Sequence, residues 1–327
     1  MSRVIVVGAG VVGLTAAVRL LEAGHRVDVV ARDLPLETTS SVAAAIWYPY
    51  LALPRARVAD WARTSYAVLD ALSDTEPAAG VTMRDGTELS RRPTGEPWWA
   101  ASVPGPTPAR ETSLPDGYAS GWSFRLPVVE MPLHLRWLHS RVEQLGGTVT
   151  RMNLSALPTH ADVVVNATGI GARLLASDRT VVPVRGQVLY VEQVGLERWC
   201  LAPGDGDGDH PTYVVPRSDD VVVGGTEIEG EWSRTPSPET AQEILERAAH
   251  LVPELRGARV LRHKVGLRPL RPSVRVERVD DVVHCYGHGG SGVTLAWGCA
   301  EEVVRLVGGD AAGARRDAGV SGARADG

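Results

Sequence analysis

The sequence predicts an α/β protein in which a discontinuous dinucleotide-binding domain is joined to a second, α+β domain built on a mixed or antiparallel sheet. A glycine-rich turn follows an apolar strand at the N-terminus, and a continuous apolar run at 162–166 is typical of a parallel strand buried on both faces. Strands rich in β-branched residues and bounded by turns lie between 184 and 224. With 327 residues, 44% of them hydrophobic, the chain is long enough for both domains.

The first element is a strand at 4–7 that leads into a glycine-rich turn and a helix at 14–21. Gly8 permits the tight turn, Gly10 allows close approach to a pyrophosphate, and Gly13 lets the helix pack on the strand. The positive N-terminal end of that helix favours phosphate. We therefore expect this turn to bind a dinucleotide through Gly8, Ala9, Gly10, Val11, Val12 and Gly13.

The second strand, 26–31, should end beside the ribose. Arg32 and Asp33 follow it directly, and an acid at this distance from the glycines is expected to bind the ribose hydroxyls. We favour Asp33, although it could instead cap a turn before Leu34. Asp28 is the competing acid, but it lies inside the strand.

The later segments supply the remaining elements of both domains. We predict a helix at 131–145, strands at 148–150, 162–166, 184–191, 212–215 and 221–224, and long surface loops over 80–120. The dinucleotide-binding domain should then comprise 1–50, 133–182 and 284–310, and the substrate domain 51–132 and 183–283. Residues 311–327 are small and polar, which predicts a disordered tail.

Composition excludes several classes of protein. The net charge of −5 and the pI near 6.0 argue against nucleic-acid binding, and no apolar stretch is long enough to cross a bilayer. The opening apolar run is short and already forms the glycine motif, so we expect no signal peptide and a cytoplasmic protein. Cys200, Cys285 and Cys299 should be free thiols. The acidic run within 202–211 lacks the spacing of a calcium loop, and we expect no metal.

Three further segments carry a family resemblance that spans nearly the whole chain. They are TTSSVAAAIWYPY at 38–50, VGLRPLRP at 265–272 and YGHGGSGVTLAWGCA at 286–300. With the opening glycine motif, the chain resembles the FAD-dependent D-amino-acid oxidases. The resemblance implies a Rossmann-like FAD-binding domain.

The resemblance also implies which residues contact FAD. The third segment reads as a strand, a glycine-dense turn and a helix beginning near Thr294, so its amides should face the flavin. The hydroxyls near position 39 would approach the pyrophosphate, although alone they could be a helix cap. Beyond the opening turn, the implied cofactor residues are Arg32, Asp33, Thr38, Thr39, Ser40, Ala44, Ala45, Ile46, Leu154, Gly289, Gly290, Ser291, Gly292, Val293 and Thr294.

For the substrate, the resemblance implies that Arg268 grips an α-carboxylate, assisted by Tyr213, with Gly290 and Tyr48 beside it. The planar guanidinium suits a bidentate carboxylate, but Arg271 or Arg275 could take this role instead. Tyr48 replaces a glutamine found in some members of the family. The vertebrate pattern has a lid tyrosine where this chain has Asp209, which leaves the presence of a lid open.

We expect a D-amino-acid oxidase that passes a hydride from the substrate α-carbon to flavin N5, with dioxygen as second substrate. No catalytic side-chain base is predicted, and His288 reads as structural. A homodimer is the assembly considered. Alternatives are a D-aspartate oxidase with Arg217 as the second cation, a glycine or sarcosine oxidase, a nicotinamide-dependent dehydrogenase and a non-catalytic flavin-binding protein.

Overall fold

A computed structural model describes residues 1–111, 114–204 and 210–309. Its helices are α1 Val11–Glu22, α2 Arg55–Thr75, α3 Met131–Gln144, α4 Ala172–Leu175, α5 Pro238–Leu251 and α6 Gly292–Gly308. Its strands are β1 Arg3–Val7, β2 Arg26–Ala31, β3 Val81–Ser90, β4 Thr107–Pro108, β5 Ser120–Val129, β6 Thr148–Arg151, β7 Val163–Asn166, β8 Val182–Glu192, β9 Trp199–Ala202, β10 Thr212–Pro216, β11 Asp220–Gly224, β12 Ile228–Glu229, β13 Val260–Val279 and β14 Val282–His288.

All fourteen strands belong to one mixed sheet, in the order β4-β5-β3-β9-β10-β11-β8-β13-β14-β7-β1-β2-β6, with β12 paired to β8. At one end, β14, β7, β1, β2 and β6 are parallel to one another. The apolar strands β1 and β7 lie at the centre of this parallel part, with almost every residue buried. The predicted α/β class with a Rossmann-like parallel unit is therefore confirmed.

The other part of the sheet is mainly antiparallel, and β13 connects the two parts. The first half of β13 pairs with β8 and its second half with β14, with a register irregularity between Leu270 and Arg275. Because strands alternate their side chains, Leu189 and Val191 of β8 pack under α5, while Val188 and Tyr190 face the opposite side. That opposite side carries the candidate site.

Helix α1 packs against both α3 and α6, and all three helices lie against the parallel strands. Helix α2 packs on α6 at Gly298, where a Cβ atom would overlap the backbone of Trp61. The Gly298 amide also donates to Ser65 Oγ at 3.0 Å. Since α2 comes from the segment assigned to the substrate domain, the division into two domains stays a prediction.

The prediction of long loops over 80–120 is wrong for residues 81–90, which form strand β3. Strand β3 pairs with β5 along all ten of its residues, and Trp99 is buried. The sequence of β3 is polar and alternates poorly, so its pairing depends on tertiary context that propensity does not reveal.

Other local expectations need smaller corrections. Helix α6 begins at Gly292, two residues before the predicted position. Three features lie wholly or mainly outside the described residues: Asp209, at the position of the missing lid tyrosine, the acidic run within 202–211, and the predicted tail. Within the described ranges, no helix has the length and apolar character that a bilayer span would need.

Candidate active site

A cavity of about 790 Å³ begins at the carboxyl ends of β1, β2 and β7 and continues across the face of β8, β10 and β13. In parallel sheets this edge is where ligands bind. All of the predicted cofactor and substrate residues line the cavity except Gly13, Ser291 and Thr294. The chain therefore brings the sequence-predicted residues into one continuous site.

At the dinucleotide end, the glycines of the first turn allow contacts that a side chain would block. A Cβ atom on Gly8, where φ is +120°, would overlap the Ala167 carbonyl oxygen, and one on Gly13 would overlap the Gly8 carbonyl oxygen. Gly13 thus acts through packing and does not reach the cavity. The N-cap of α1, Gly10, makes no side-chain hydrogen bond, so amides of the first helical turn other than that of Val11, which donates to Ser40, remain available to a phosphate.

The segment 38–46 forms the wall opposite this helix end. Ser40 Oγ accepts a hydrogen bond from the Val11 amide at 3.1 Å, which places a hydroxyl at the start of α1. Thr38 Oγ1 donates to the Pro35 carbonyl at 2.7 Å, so that proton is already committed within the loop. Ala45 has φ +57° and its carbonyl accepts from the Val129 amide at 2.8 Å, which fixes the alanine run against β5.

Asp33 lines the cavity, whereas its competitor Asp28 does not. Asp28 accepts a hydrogen bond from Thr148 at 2.8 Å on β2, away from the strand end. The Arg32 guanidinium hydrogen-bonds the Asp33 carboxylate and lowers the pKa of that carboxyl. Asp33 is therefore ionised at neutral pH, and a carboxylate so held retains further acceptor positions for ribose hydroxyls.

The second glycine turn approaches the cavity through Gly289, Gly290, Gly292 and Val293. Ser291 and Thr294 do not line it, because both are almost fully buried, and their contact with the cofactor stays a prediction. Thr294 Oγ1 accepts from the Tyr48 amide and donates to the Tyr48 carbonyl, each at 2.9 Å. Ser291 Oγ donates to the Tyr50 carbonyl. These hydroxyls hold residues 48–50 in place beside the cavity.

Arg268 projects from β13 into the far end of the cavity. Its Nη1 donates to the Thr226 carbonyl at 2.9 Å, and its guanidinium lies against Gly186, where a Cβ atom would overlap it. Across 1–111, 114–204 and 210–309, no carboxylate forms an ion pair with Arg268. Burial raises the pKa of the neighbouring Tyr213, and the charge and hydrogen bonding of Arg268 oppose that rise. Tyr213 therefore stays a neutral donor beside an unpaired cation.

The two competing arginines on β13 are already paired. Arg271 Nε lies 2.9 Å from Asp178 Oδ2. Arg275 Nε lies 2.6 Å from Glu277 Oε1, and its Nη1 donates to the Tyr286 hydroxyl at 2.6 Å. Neither lines the cavity. Of these three side chains, Arg268 alone faces the cavity with its charge available to a ligand.

Arg217 does not reach the site, so the expectation that it could bind a second substrate carboxylate is wrong. It is buried, pairs with Asp220 at 2.8 Å and lies 4.7 Å from the centre of the Tyr190 ring. It does not line the cavity. Arg217 follows the last residue of β10, and its contacts with Asp220 and the Tyr190 ring keep its guanidinium out of the cavity.

Two tyrosine–acid pairs also border the site. The Tyr50 hydroxyl donates to Glu227, and the Tyr48 hydroxyl donates to Glu88 Oε1 at 3.0 Å. Burial raises the pKa of the Glu88 carboxyl to about 7, although the Tyr48 hydrogen bond partly opposes that rise. Neither acid was identified from the sequence, since each lies far along the chain from its tyrosine.

Other cavity residues were missed for reasons that differ. Thr168 and Gly169 lie within three residues of the end of β7, so the rule that ligands bind at strand carboxyl ends could have found them. Gly186 sits mid-strand, and only the position of Arg268 reveals why a side chain is absent there. The Thr226 contact uses a main-chain carbonyl, which no sequence pattern marks.

His288, Cys285 and Cys299 form a buried group near the second glycine turn, with their ligand-type atoms within 4.8 Å of one another. All three cysteines are free, as predicted. Among the described residues His288 Nε2 has no hydrogen-bond partner, and the structural role expected for His288 stays a prediction.

The cavity fits an FAD in chemistry as well as in extent. The N-terminal end of α1 and the Ser40 hydroxyl beside it suit the pyrophosphate, and the Asp33 carboxylate suits the ribose. Gly290 and Gly292 border the part of the cavity that leads to Arg268 and would allow a flat ring system to approach the main chain. When bound, FAD supplies the two-electron acceptor, and these residues would hold it beside Arg268.

Comparison with known proteins agrees with this geometry. The chain is 50% identical over 320 residues to a protein named D-amino-acid oxidase from Rubrobacter xylanophilus, covering 94% of this chain and 96% of that protein. It is 45% identical to a D-amino-acid oxidase of Streptomyces coelicolor, covering 93% and 96%. Glycine oxidase from Geobacillus kaustophilus shares the fold with a TM-score of 0.78 at 21% identity, over 94% of this chain and 95% of that chain. Residues 3–306 match the family described as FAD dependent oxidoreductase, and the chain belongs to that family.

Proposed function

We propose that the protein is a D-amino-acid oxidase, which converts neutral D-amino acids to 2-oxo acids with release of ammonia and hydrogen peroxide. The observation that carries this proposal is the unpaired guanidinium of Arg268 beside Tyr213 at the end of an FAD-sized cavity. The two relatives named D-amino-acid oxidase support it, since each aligns over nearly the full length of both chains.

The chain's own contribution is mainly to orient the substrate. The Arg268 fork binds the α-carboxylate in two parallel hydrogen bonds, and the Tyr213 hydroxyl donates a third. Gly186 and the Thr226 carbonyl hold the guanidinium in position, which fixes the α-carbon relative to the glycine turn at 289–292. Such positioning lowers the barrier by removing orientational freedom before reaction.

No side chain has to remove the α-proton in this proposal. The hydrogen leaves the α-carbon with its electron pair, and the amine lone pair compensates the developing positive charge. The acids near this end, Glu88 and Glu227, each accept a hydrogen bond from a tyrosine. They border the substrate region, and the proposal assigns neither of them the role of a base.

Anaerobic mixing of the purified flavoprotein with D-alanine and with L-alanine tests the proposal. We expect bleaching of the flavin band with D-alanine only and, in air, one peroxide per amino acid consumed. Equal bleaching by both enantiomers would reject the assignment to D-amino acids. No bleaching by a panel of D-amino acids would favour the non-catalytic flavin-binding alternative, and bleaching by NADH would favour the nicotinamide-dependent one.

A further inference from the structure

Glu88 occupies a second, smaller cavity that the proposed reaction does not use. This side cavity has a volume of about 310 Å³ and adjoins the main cavity at Tyr48 and Pro203, which line both. Trp98 and Trp99 form part of its wall. A chamber that opens beside the substrate end of the main cavity is the natural space for a substrate side chain.

The register of the sheet places Glu88 in line with the carboxylate-binding end. Tyr213 pairs with Leu201 on β9, and Leu201 pairs with Glu88 on β3. Two strand spacings separate Tyr213 from Glu88, which is about 10 Å. Leu201 and Tyr213 both line the main cavity. The three paired residues therefore form a row across the sheet, from Tyr213 at the carboxylate site, over the apolar Leu201, to the acid Glu88. An extended amino-acid side chain would follow the same path.

The Glu88 carboxyl has an oxygen that is free to bind a ligand. Oε1 accepts from the Tyr48 hydroxyl at 3.0 Å, whereas Oε2 is buried and has no partner among the described residues. A buried acceptor without a donor is costly, and a ligand that brings a donor removes that cost. Arg91 also lines the side cavity, but it is exposed and lies 5.3 Å from the centre of the Tyr118 ring.

We infer that Glu88 is a specificity-determining residue, and that the side cavity extends the substrate range to D-amino acids whose straight side chains end in an ammonium or another hydrogen-bond donor. This inference rests on the proposed function and adds a substrate class to it. The alkyl part of such a side chain would lie over Leu201 and beside the aromatic wall. Its terminal group would donate to Glu88 Oε2, and an acidic side chain would meet a carboxylate there.

D-Ornithine and D-norleucine provide the test, because their side chains have equal numbers of non-hydrogen atoms and end in ammonium or methyl. The measurement is the ratio of their kcat/KM values for flavin reduction. In Glu88→Gln we expect this ratio to fall roughly 10- to 100-fold, the range for hydrogen bonds to a charged group. Activity on D-alanine, whose side chain does not reach Glu88, should change little.

Two other variants keep the result interpretable. Asp85→Asn removes the same charge from the exposed side of β3 and should leave the ratio unchanged. Tyr48→Phe frees the second Glu88 oxygen and should keep or raise the ratio, provided that the variant retains flavin. It therefore tests the inference even if Glu88→Gln does not fold.

The outcomes separate this inference from the proposed function. An unchanged ratio in Glu88→Gln, or oxidation of D-alanine without measurable oxidation of D-ornithine, would overturn the role of Glu88 and leave the oxidase proposal intact. Failure of the wild-type flavoprotein to oxidise D-alanine, D-norleucine and D-ornithine alike would reject the proposed function itself.

Discussion

The two ends of the main cavity are built from different parts of the chain. The dinucleotide end is lined mainly by two contiguous segments, 8–12 and 38–46, whose glycines and alanines bring main chain to the cavity, together with the Asp33 side chain. The substrate end is made of side chains from strands far apart in sequence, such as Tyr213 on β10 and Arg268 on β13. A site made of backbone depends on local conformation, whereas one made of side chains depends on sheet register. Mutations at the two ends should therefore separate cofactor binding from substrate binding.

The largest expected effect separates two arginines of the same strand. Arg268→Leu should lower kcat/KM for D-alanine by about 10⁴-fold, because a site built to hydrogen-bond a substrate discriminates strongly when those bonds are lost. Flavin content should stay near that of the wild type. Arg271→Leu is the matched control: it removes the ion-pair partner of Asp178, whose carboxylate keeps its hydrogen bonds from Thr180 and Tyr286, and should cost about 1–3 kcal/mol of unfolding free energy with much less effect on substrate oxidation. Equal losses of activity in both variants would contradict the assignment of Arg268.

The second expected effect concerns pH and Glu88. Burial raises the pKa of the folded Glu88 carboxyl to about 7 from 4.5, so the unfolded chain releases this proton first as pH rises. The contribution of Glu88 to the free energy of unfolding is therefore greatest below pH 4.5 and falls by up to roughly 3 kcal/mol by pH 7. The groups that share its cavity are Tyr48, Arg91, Tyr118 and His210.

The glutamine of Glu88→Gln cannot ionise, so this variant should lack the decrease in the free energy of unfolding between pH 4.5 and pH 7. Denaturation of both proteins at pH 5 and pH 8 should show wild type losing stability relative to Glu88→Gln at the higher pH. A difference that is independent of pH would mean that Glu88 is already ionised in the folded protein.

A smaller effect is expected at Gly186, against which the Arg268 guanidinium lies. A Cβ atom at Gly186 would overlap the end of the Arg268 side chain, which can move more easily than backbone. Gly186→Ala should therefore keep the fold and FAD while raising KM for D-alanine, with a loss of up to about 100-fold in kcat/KM. Gly95→Ala, in open space, should behave like the wild type. Loss of FAD from Gly186→Ala would show that this glycine serves the cofactor end.

The smallest effect lies at the dinucleotide end. Asp33→Asn should weaken FAD binding about 10-fold, since it removes the charge from one hydrogen-bonded contact. Asp28→Asn removes an equal charge from a residue that does not line the cavity and should leave FAD affinity unchanged. Affinity measured by flavin fluorescence on rebinding to apoprotein would show the difference. A stronger effect of Asp28→Asn would reverse the assignment.

The sequence predicted the dinucleotide end of the cavity better than the substrate end. The Gly8–Gly10 turn and the turn at 289–292 could be predicted, because glycine is required where backbone must approach a ligand or another chain segment. Glu88 could not, since nothing local in β3 indicates that it pairs with β9 or that Tyr48 reaches it. The prediction for Arg217 was wrong for the same reason. Its position near Tyr213 in the sequence does not determine which groups its side chain contacts in the fold. Arg268 was found through family resemblance, and the structure adds the reason that Arg271 is not equivalent.

The central claim is that Arg268 binds a carboxylate beside the flavin. Butyrate and butyramide, neither of which can be oxidised as an amino acid, differ in little besides that charge. Titration of each into the flavoprotein, followed by the flavin absorption band, tests the claim without turnover. We predict a saturable spectral change with butyrate that is weak or absent with butyramide and lost in Arg268→Leu. Equal affinity for butyrate in wild type and Arg268→Leu would contradict the account.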